Sequence, residues 1–511
     1  MASGDYSKTQ YNNGAPPAIN AANLNNNENK TSELDTEVAA IKSGAVTLTG
    51  VKTFSSSPIV PAATTDTQAV NKGQVALLAG DQTIAGVKTF SSSPIVPAAT
   101  TAGQAVNKEQ VEKAIATAYG ITWDESTDAY VRTGINLAGR TLGVKPPDDV
   151  MPVHARMRRC LVNDAGEVQY YLFPTNSNLK ADGVTASVLT GADGQVMVEI
   201  PKFYFKYTST GNVHSCEVST VLTAGFEVHP MFVRGAIEDD YVYVGAYEGA
   251  LFDVSGGVYT DGNASQVKDF ANDKLSSVSG FFPVTNGTRA NFRKIASNRG
   301  TNWTQETFAI RSGIQLLYLI EYGSFNSQSV IGAGITNVTD WAAYNNYYPV
   351  AKTGNANSSG GVTGNTAGSA SCATESTKYM TYRGIENFYG NIWTWLDGLN
   401  VLERRSWINN TPLQLADDTT ANYFDIGTSC PSADGYQSAL IKVKHGFLPS
   451  ASTGSSSTKI TDYYWQNTGY RVAIAGGGAH DGAVAGCFCL YLSHVSADVA
   501  SAIGGRLCYR R

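Results

Sequence analysis

The alternation of apolar and polar residues predicts strands in two stretches of the chain and a helix in a third. Val196–Tyr207, "VMVEIPKFYFKY", and Asp239–Leu251, "DDYVYVGAYEGAL", have a period of two, which predicts half-buried strands. Gly323 follows a stretch with helical periodicity, as a C-terminal cap does. The apolar face of that predicted helix consists of Phe308, Ile310, Ile314, Leu317 and Ile320. One helix among many short strands predicts an α+β domain with long loops.

Two further stretches are informative because of their residue types. Thr353–Ser371 is rich in Gly, Asn and Ser and lacks hydrophobic anchors, which predicts an exposed loop. In "YRGIENFYGNIWTWLDGLN", Trp393 and Trp395 are two positions apart and are expected on one face of a strand. Gly390-Asn391 predicts a turn before that strand.

A repeat dominates the N-terminal part of the chain. "GVKTFSSSPIVPAATTDTQAVNKGQV" begins at Gly50, and a nearly identical copy begins 36 residues later at Gly86. Neither copy has enough apolar residues for a core of its own. We therefore expect each repeat to stack on its neighbour or to wrap around copies of itself. Upstream, a short coiled-coil seam is predicted from Leu24, Thr31, Leu34, Val38 and Ile41. A single amphipathic helix is the alternative, but a seam followed by thin repeats favours an oligomeric stalk.

Composition excludes several classes of protein. The 511-residue chain has a net charge of −6 and no basic stripe, which argues against a nucleic-acid-binding surface. No run of 18 apolar residues is present, and the N-terminus lacks the pattern of a secretory signal, so neither membrane insertion nor secretion is expected. Seven scattered cysteines indicate free thiols in a reducing cytosol.

The repeats resemble those of phage tail fibres, in which "GVKTF…P…A…QAVNKGQV" units recur in trimeric shafts. The opening "NNGAPPAINAANLNNNE" is similar to the N-terminal segment of many such fibres. The resemblance implies an attachment segment and short coiled coil over residues 1–45 and two β/α repeats over 46–118. It also implies a homotrimer whose N-terminus binds a phage tail or baseplate protein.

The rest of the chain resembles a different family. "GNIWTW", "GYRVAIAGGG" and a final "GGRLCYR" are similar to the C-type lectin-like fold of formylglycine-generating enzymes. The closest pattern is that of ligand-binding proteins altered by diversity-generating retroelements. The resemblance implies a β-rich connecting region over residues 119–190. It further implies an α+β C-type lectin-like receptor-binding domain over 191–511, with a variable segment at 476–507.

Alignment with that pattern separates fixed positions from exchangeable ones. The scaffold implied by the resemblance consists of Trp393, Trp395, Gly482, Gly486, Phe488, Leu492, Ile503 and Arg506. Glycines 476, 477 and 504 and Leu507 also match the fixed pattern, whereas Gly478-Ala479 replaces its usual Ser-Trp. The variable, receptor-binding positions are His480, Asp481, Val484, Cys489, Tyr491, Ser493, His494, Asp498, Ala500 and Ala502.

The composition of the terminus agrees with this hypothesis. Adenine-directed mutation of AAC or AAT codons cannot produce Lys, Glu, Gln, Trp or Met, because the third base stays a pyrimidine. None of these five residue types occurs from Asn467 to Arg511.

Several other residues are candidates for chemistry, but their patterns do not favour it. Cys487 and Cys489 lie where formylglycine-generating enzymes carry a cysteine pair, but no basic neighbour favours a thiolate, and Thr394 replaces the glutamate of the family's "W-E-W". His480-Asp481 is a poor base and orienter, because neighbours on an extended segment point to opposite faces. The doublets Asp239-Asp240 and Asp417-Asp418 are typical of solvated turns. The D-x-D-x-D-G motif that would indicate a calcium-binding loop is absent from the sequence. A structural calcium ion is therefore possible in this fold but not indicated, and we expect no cofactor and no metal.

The sequence therefore predicts a host-receptor-binding phage tail fibre, assembled in the host cytoplasm and carried on the virion. A rigid lectin-like scaffold would present exchangeable side chains to a surface protein or glycan, much as an antibody does. No enzymatic activity is expected. A structural or depolymerase tailspike, or an oxidase of the formylglycine-generating type, is the alternative.

Overall fold

The computed structural model describes residues 118–134, 136–262, 266–338, 351–369, 378–441 and 443–511. The chain divides into two compact units, residues 1–116 and 117–511. The predicted attachment segment, coiled coil and repeats lie outside the described residues. All of the described residues belong to the second unit.

Thirty strands make up most of the regular secondary structure of the described residues. The first ten are β1 (Tyr119–Asp124), β2 (Ala129–Thr133), β3 (Arg158–Val162), β4 (Val168–Phe173), β5 (Asn176–Lys180), β6 (Gln195–Pro201), β7 (Tyr204–Thr210), β8 (Val213–Ser219), β9 (Glu227–Val228) and β10 (Val233–Arg234). The next ten are β11 (Ile237–Glu238), β12 (Tyr241–Gly245), β13 (Ala250–Asp253), β14 (Val258–Thr260), β15 (Lys274–Ser276), β16 (Trp303–Gln305), β17 (Gly364–Ser369), β18 (Lys378–Tyr382), β19 (Ile385–Glu386) and β20 (Trp393–Leu402). The last ten are β21 (Arg405–Ile408), β22 (Phe424–Ser429), β23 (Gly435–Tyr436), β24 (Ala439–Leu440), β25 (Pro449–Ala451), β26 (Tyr463–Gln466), β27 (Tyr470–Ala475), β28 (Leu490–His494), β29 (Ile503–Gly504) and β30 (Leu507–Arg510).

Three α-helices lie in the described region: α1 (Arg289–Ser297), α2 (Phe308–Tyr322) and α3 (Ser327–Ile331). The central helix matches the sequence prediction, because α2 starts at the first predicted apolar position and ends before Gly323, which has a φ of 61°. Thr307 caps its N-terminus by accepting a hydrogen bond from the backbone N–H of Ile310. Every residue of α2 is buried, so the helix is a core element rather than an amphipathic surface helix.

Two large sheets organise the unit. The seven-stranded sheet has the order β16-β30-β12-β6-β3-β4-β5, and the eight-stranded sheet contains the path β22-β21-β20-β27-β28-β26-β23 with β29 pairing with β20. Aromatic residues of both sheets share one core with α1, including Tyr243 and Tyr509 from the first sheet and Trp393 and Trp395 from the second. A second core lies on the opposite face of the eight-stranded sheet, around Leu396 and Leu492.

The two predicted strands are more deeply buried than expected. The first stretch forms β6 and β7, and positions 195–200 are all buried, not alternately exposed. The second forms β12 and β13, of which β12 is enclosed by β6 and β30. Strands inside a sheet that is covered on both faces have no solvent-facing side, so their apparent alternation includes buried polar residues such as Glu199.

The predicted exposed loop at Thr353–Ser371 is partly wrong. Thr353 and Asn357 are buried, and the Thr353 hydroxyl donates a hydrogen bond to the carbonyl oxygen of Val278 at 2.7 Å. Residues 364–369 form β17, which pairs with β18. Polar residues are retained in this interior position because side-chain hydrogen bonds satisfy them, which composition alone does not reveal.

The boundary predicted at residue 190 does not separate two folds. Strands β1 and β3 precede it, yet β1 pairs with β8 and β3 pairs with β6. The region 119–190 is therefore an integral part of the same sheets as the downstream chain.

The end of the chain joins the two large sheets. Strand β29 pairs in parallel with β20, whereas β30 lies between β12 and β16. Arg506 lies at the crossover and is fully buried. Its guanidinium donates hydrogen bonds to the carbonyl oxygens of Gly245, Glu386 and Asn387 at 2.8–2.9 Å. This cation therefore holds the closing strands to two other segments of the chain, one at Gly245 and one at Glu386-Asn387.

Candidate functional site

The predicted variable segment contributes two strands to the eight-stranded sheet, β28 between β27 and β26, and β29 beside β20. It leaves β27 at Ala475, forms a loop through Phe488, continues as β28 and returns through a second loop to β29. Nine of the ten predicted variable positions are half-buried or exposed. These nine are His480, Asp481, Val484, Tyr491, Ser493, His494, Asp498, Ala500 and Ala502.

Cys489 is the exception, and its predicted role as a receptor contact is wrong. Its side chain is 0% exposed and belongs to the core shared by Trp393 and Ile474. The residue directly precedes β28, where the chain turns inward after Gly486. A side chain in this position cannot reach a ligand on the surface.

The predicted scaffold residues lie beneath these positions. Seven of the eight are buried: Trp393, Trp395, Gly486, Phe488, Leu492, Ile503 and Arg506. The two glycines have positive φ angles, 60° at Gly482 and 156° at Gly486. A Cβ atom on Gly486 would lie 2.2 Å from a carboxylate oxygen of Asp462, so only glycine permits the close approach.

The side chains of two glutamines, the half-buried Gln328 and the buried Gln437, fix the loop that follows β27. The amide of Gln328 donates to the carbonyl oxygens of Gly482 and Ala485 at 2.8 and 2.5 Å. The amide of Gln437 donates to the carbonyl oxygen of Phe488 at 2.7 Å. A surface loop held at both its tip and its base is presented in one conformation.

The base of the same loop is held from two further sides. The backbone N–H of Cys487 donates to the hydroxyl of Ser327 at 2.9 Å, and its carbonyl accepts from the amide of Gln315 at 2.8 Å. The N–H of Phe488 donates to the Asp462 carboxylate at 2.7 Å. Burial raises the pKa of Asp462 to about 8, although the backbone bonds act in the opposite direction.

An irregularity in β28 determines which variable side chains share a face. In the pairing of β27 with β28, Val472 is opposite His494 but Ile474 is opposite Tyr491, so the second strand contains one extra residue. The bulge places Tyr491 and His494 on the same face although they are three positions apart. Their ring centroids are 4.7 Å apart.

These two rings extend a line of aromatic side chains, which we call the aromatic row: Tyr436, Tyr463, Trp465, Tyr491 and His494. Centroid separations along it are 5.0, 4.5, 4.9 and 4.7 Å. All five residues are half-buried. Because Trp465 and Tyr491 stack on each other, the row has a fixed geometry rather than five independent rings.

Sequence reasoning missed the first three members of the row. Tyr463 and Trp465 are two positions apart on β26 and therefore share one face of the strand. Because β26 pairs in parallel with β28, Trp465 lies opposite Tyr491. The run "YYWQ" carries a local signal for a strand with one aromatic face. Its placement beside the variable segment depends on a parallel pairing that spacing does not predict.

Trp393 connects the aromatic row with the first variable loop. Its ring centroid is 5.7 Å from Trp465 and 5.6 Å from Tyr491. Its indole also hydrogen-bonds the carboxylate of Asp481, and burial raises the pKa of that carboxyl. The Asp481 Oδ2 atom accepts the N–H of Gly478 at 2.6 Å. Trp393 therefore contacts predicted variable residues on two sides.

The two histidines have carboxylate neighbours. Nδ1 of His494 lies 2.9 Å from Oδ2 of Asp498, which also accepts the backbone N–H of Val495 at 3.0 Å. Nε2 of His480 lies 3.8 Å from an oxygen of Asp481, beyond hydrogen-bonding distance. The first pair orders the loop after β28, and the second is a loose surface contact.

The remaining candidate chemistry is held inside the protein. Burial raises the pKa of the Cys487 and Cys489 thiols well above the usual range, which disfavours the nucleophilic thiolate. Neither aspartate doublet is a simple solvated turn. Asp239 is 1% exposed and pairs with Arg234 at 2.7 Å, and Asp417 pairs with Arg293 at 2.7 Å.

Two clefts on the described residues lie away from the predicted variable segment. A cleft of about 690 Å³ is lined by residues of 163–195 together with Phe252, Tyr259, Lys274 and Arg299. A second, of about 610 Å³, surrounds Glu199. No group of three or more His, Cys, Asp or Glu residues that could hold a metal occurs among the residues searched, which are the described ones. No helix within the same residues is long and apolar enough to cross a membrane.

A comparison of the chain with protein-family models gives no match, and a comparison with curated proteins gives none either.

Proposed function

We propose that this protein is a phage tail-fibre adhesin that binds a host surface ligand through the aromatic row and the variable loops beside it. The observation that carries the proposal is the separation between presented and buried positions. Tyr491, Ser493 and His494 are partly exposed, whereas the neighbouring Leu490 and Leu492 are buried. Exchange at the first set can alter recognition without removing core contacts.

The rigidity of the support favours a binding role. Tyrosine and tryptophan side chains give large contact areas at a low cost in conformational entropy, particularly when their positions are fixed before binding. Here the fixation comes from Trp393 beneath the rings and from Gln328 and Asp462 at the loop. The phage assignment itself rests on the resemblance of the repeats and the terminus.

The alternatives receive less support from the described residues. The thiols of an oxidase would have to react as thiolates, but Cys487 and Cys489 are enclosed and their pKa values are raised. A depolymerase would need free carboxylates, but Asp239 and Asp417 of the two doublets form ion pairs with arginine side chains.

The test replaces Tyr491, Ser493 and His494 together by alanine. Virions carrying this variant are expected to lose adsorption to host cells, while the purified protein keeps its oligomeric state and unfolding midpoint. The matched control replaces the exposed residues Thr208, Ser209 and Thr210 on β7, which are outside the variable segment. Equal adsorption by the two variants, or loss of the oligomer in the first, would contradict a receptor-binding role for this surface.

A further inference from the structure

We propose that the 690 Å³ cleft next to β4 is a second binding site, which takes a neutral saccharide. Its volume lies within the range of about 300–1,000 Å³ that small-molecule sites occupy. None of the ten predicted variable positions and no member of the aromatic row lines it. The site therefore lies outside the predicted variable segment and goes beyond the function proposed above.

The cleft presents aromatic rings that are only half-buried: Tyr170, Phe252 and Tyr259. The rings of Phe252 and Tyr259 meet edge to face, with centroids 4.9 Å apart. Sugar rings carry C–H groups on their faces, which pack favourably on the negative face of an aromatic ring. Rings inside a concave, partly wet surface are suited to this kind of contact.

A hydrogen-bonded chain holds Tyr259 in place. The backbone N–H of Ser277 donates to the buried Gln195 side chain at 2.7 Å, and the Gln195 amide donates to the Tyr259 hydroxyl at 3.2 Å. That hydroxyl donates to the carbonyl oxygen of Gly191 at 3.3 Å. The ring is thus fixed before any ligand arrives, which reduces the entropy lost on binding.

Glycine allows the loop at 191–194 to close against this ring. Gly191 has a φ of 105°, and a Cβ atom there would lie 2.2 Å from a ring carbon of Tyr259. Gly194 has a φ of 122°. The loop positions Asp193, whose Oδ2 accepts the Tyr170 hydroxyl at 2.7 Å.

Two oriented carboxylates provide acceptors for sugar hydroxyl groups. Asp164 is held by Lys274 at 3.2 Å and by Arg299 at 2.5 Å, yet its side chain is 47% exposed. An ionised carboxylate offers about four lone-pair positions, so the carboxylate oxygens of Asp164 that already pair with cations can accept further hydrogen bonds. Hydroxyl groups that donate to such carboxylates form strong, short bonds.

The charge balance of the cleft favours a neutral ligand. Its ionisable lining residues include two carboxylates, Asp164 and Asp193, and two cations, Lys274 and Arg299. Both cations already pair with Asp164, so a phosphate or an acidic sugar would have to compete with that carboxylate. A hydroxyl-rich neutral molecule can use the existing arrangement without displacing a charge.

The test measures binding of maltose, cellobiose, lactose and N,N′-diacetylchitobiose to the full-length chain by isothermal titration calorimetry. At least one disaccharide is expected to bind. The double variant Asp193→Asn with Phe252→Ala should weaken it by about tenfold or more, because it removes one charge-assisted hydrogen bond and one aromatic contact. Asp193→Asn alone, which keeps the ring and the shape of the loop, should weaken binding in the same direction if the double variant is unstable.

The matched control is Asp240→Asn with Tyr241→Ala, an acid and a ring from the neighbouring 610 Å³ cleft. It is expected to bind the disaccharide as the native chain does. The alanine variant of Tyr491, Ser493 and His494 is also expected to bind the disaccharide as the native chain does. This result would show that the cleft and the proposed receptor surface act independently. The proposal is overturned if none of the four disaccharides binds, if Asp193→Asn binds normally, or if either control loses binding.

Discussion

The rings of Tyr491 and His494 lie 4.7 Å apart on one face of β28, although three positions separate the two residues along the strand. In a regular strand, residues three apart point to opposite faces. The extra residue opposite the Val472–Ile474 segment of β27 removes this difference. One bulge therefore converts a strand with a single partly exposed tyrosine into the end of a continuous aromatic surface.

Trp465 is expected to be as important for binding as the variable residues, because it stacks on Tyr491 with centroids 4.9 Å apart. Trp465→Ala should reduce receptor binding about tenfold or more, as loss of a central aromatic contact does at interfaces. Trp465→Phe should retain part of the binding, because a smaller aromatic ring remains in the row. Binding is measured by adsorption of virions that carry each variant.

Trp407 provides the control for this experiment, since it is also half-buried on the same sheet but lies on β21, outside the aromatic row. Trp407→Ala is expected to lower the free energy of unfolding without changing adsorption. If both alanine variants adsorb equally well, Trp465 is a packing residue only.

Cys489 and Ser493 test where the exchangeable surface ends. Cys489 is 0% exposed and Ser493 is half-buried on β28. Cys489→Tyr has to force a large ring into a filled core, which should lower the free energy of unfolding by about 1–3 kcal/mol. Ser493→Tyr should change it by no more than about 0.5 kcal/mol.

Urea unfolding curves of the two tyrosine variants measure this difference. Equal stability of the variants would mean that the Cys489 site can open to the surface and that position 489 is exchangeable after all.

Local patterns predicted the parts of this unit that are determined by neighbouring residues. The extent of α2 and its cap at Gly323 follow from periodicity and from the glycine's left-handed conformation. The shared core position of Trp393 and Trp395 follows from their spacing of two along β20. Each of these features depends on a short window of sequence.

Features that depend on distant pairing could not be predicted in this way. The resemblance placed Cys489 with the exposed residues, but its side chain is enclosed in the same core against which Tyr491 packs. Tyr436 and Trp465 join the site only through the parallel pairing of β26 with β28. The pairings of β1 with β8 and of β3 with β6 likewise erase the expected boundary at residue 190.

The contribution of Asp462 to the stability of the unit is expected to fall as the pH rises from about 4 to 8, against the opposite contributions of His154 and His229, whose pKa values burial lowers. Burial raises the pKa of Asp462 to about 8, so the native state keeps a proton that the unfolded chain loses near pH 4. The unfolded state then binds fewer protons, and the free energy of unfolding falls by at most about 1.4 kcal/mol per pH unit for one such group. Glu248, whose pKa burial also raises to about 8, acts in the same direction.

Asp462→Asn should remove part of this slope, because the amide has no proton to lose in this range. The measurement is the free energy of unfolding in urea at pH 5, 6, 7 and 8. Asp434→Asn, at an exposed aspartate, is the control and should leave the slope unchanged. An unchanged slope in Asp462→Asn would show that this carboxyl is already ionised in the native protein.

Deletion of residues 1–118 tests whether the proposed stalk contributes avidity. Residues 117–511 form a compact unit, so the fragment that begins at Tyr119 is expected to fold. If the native chain is a trimer, its second and third sites bind at raised effective concentration, and the monomeric fragment should bind cells about 10²–10⁴-fold more weakly. Fusion of an unrelated trimeric coiled coil to Tyr119 should restore most of the loss, because it restores the number of sites without any sequence of the stalk. Undiminished binding by the fragment would mean that one site suffices, and failure of the fusion would mean that residues 1–118 contribute contacts of their own.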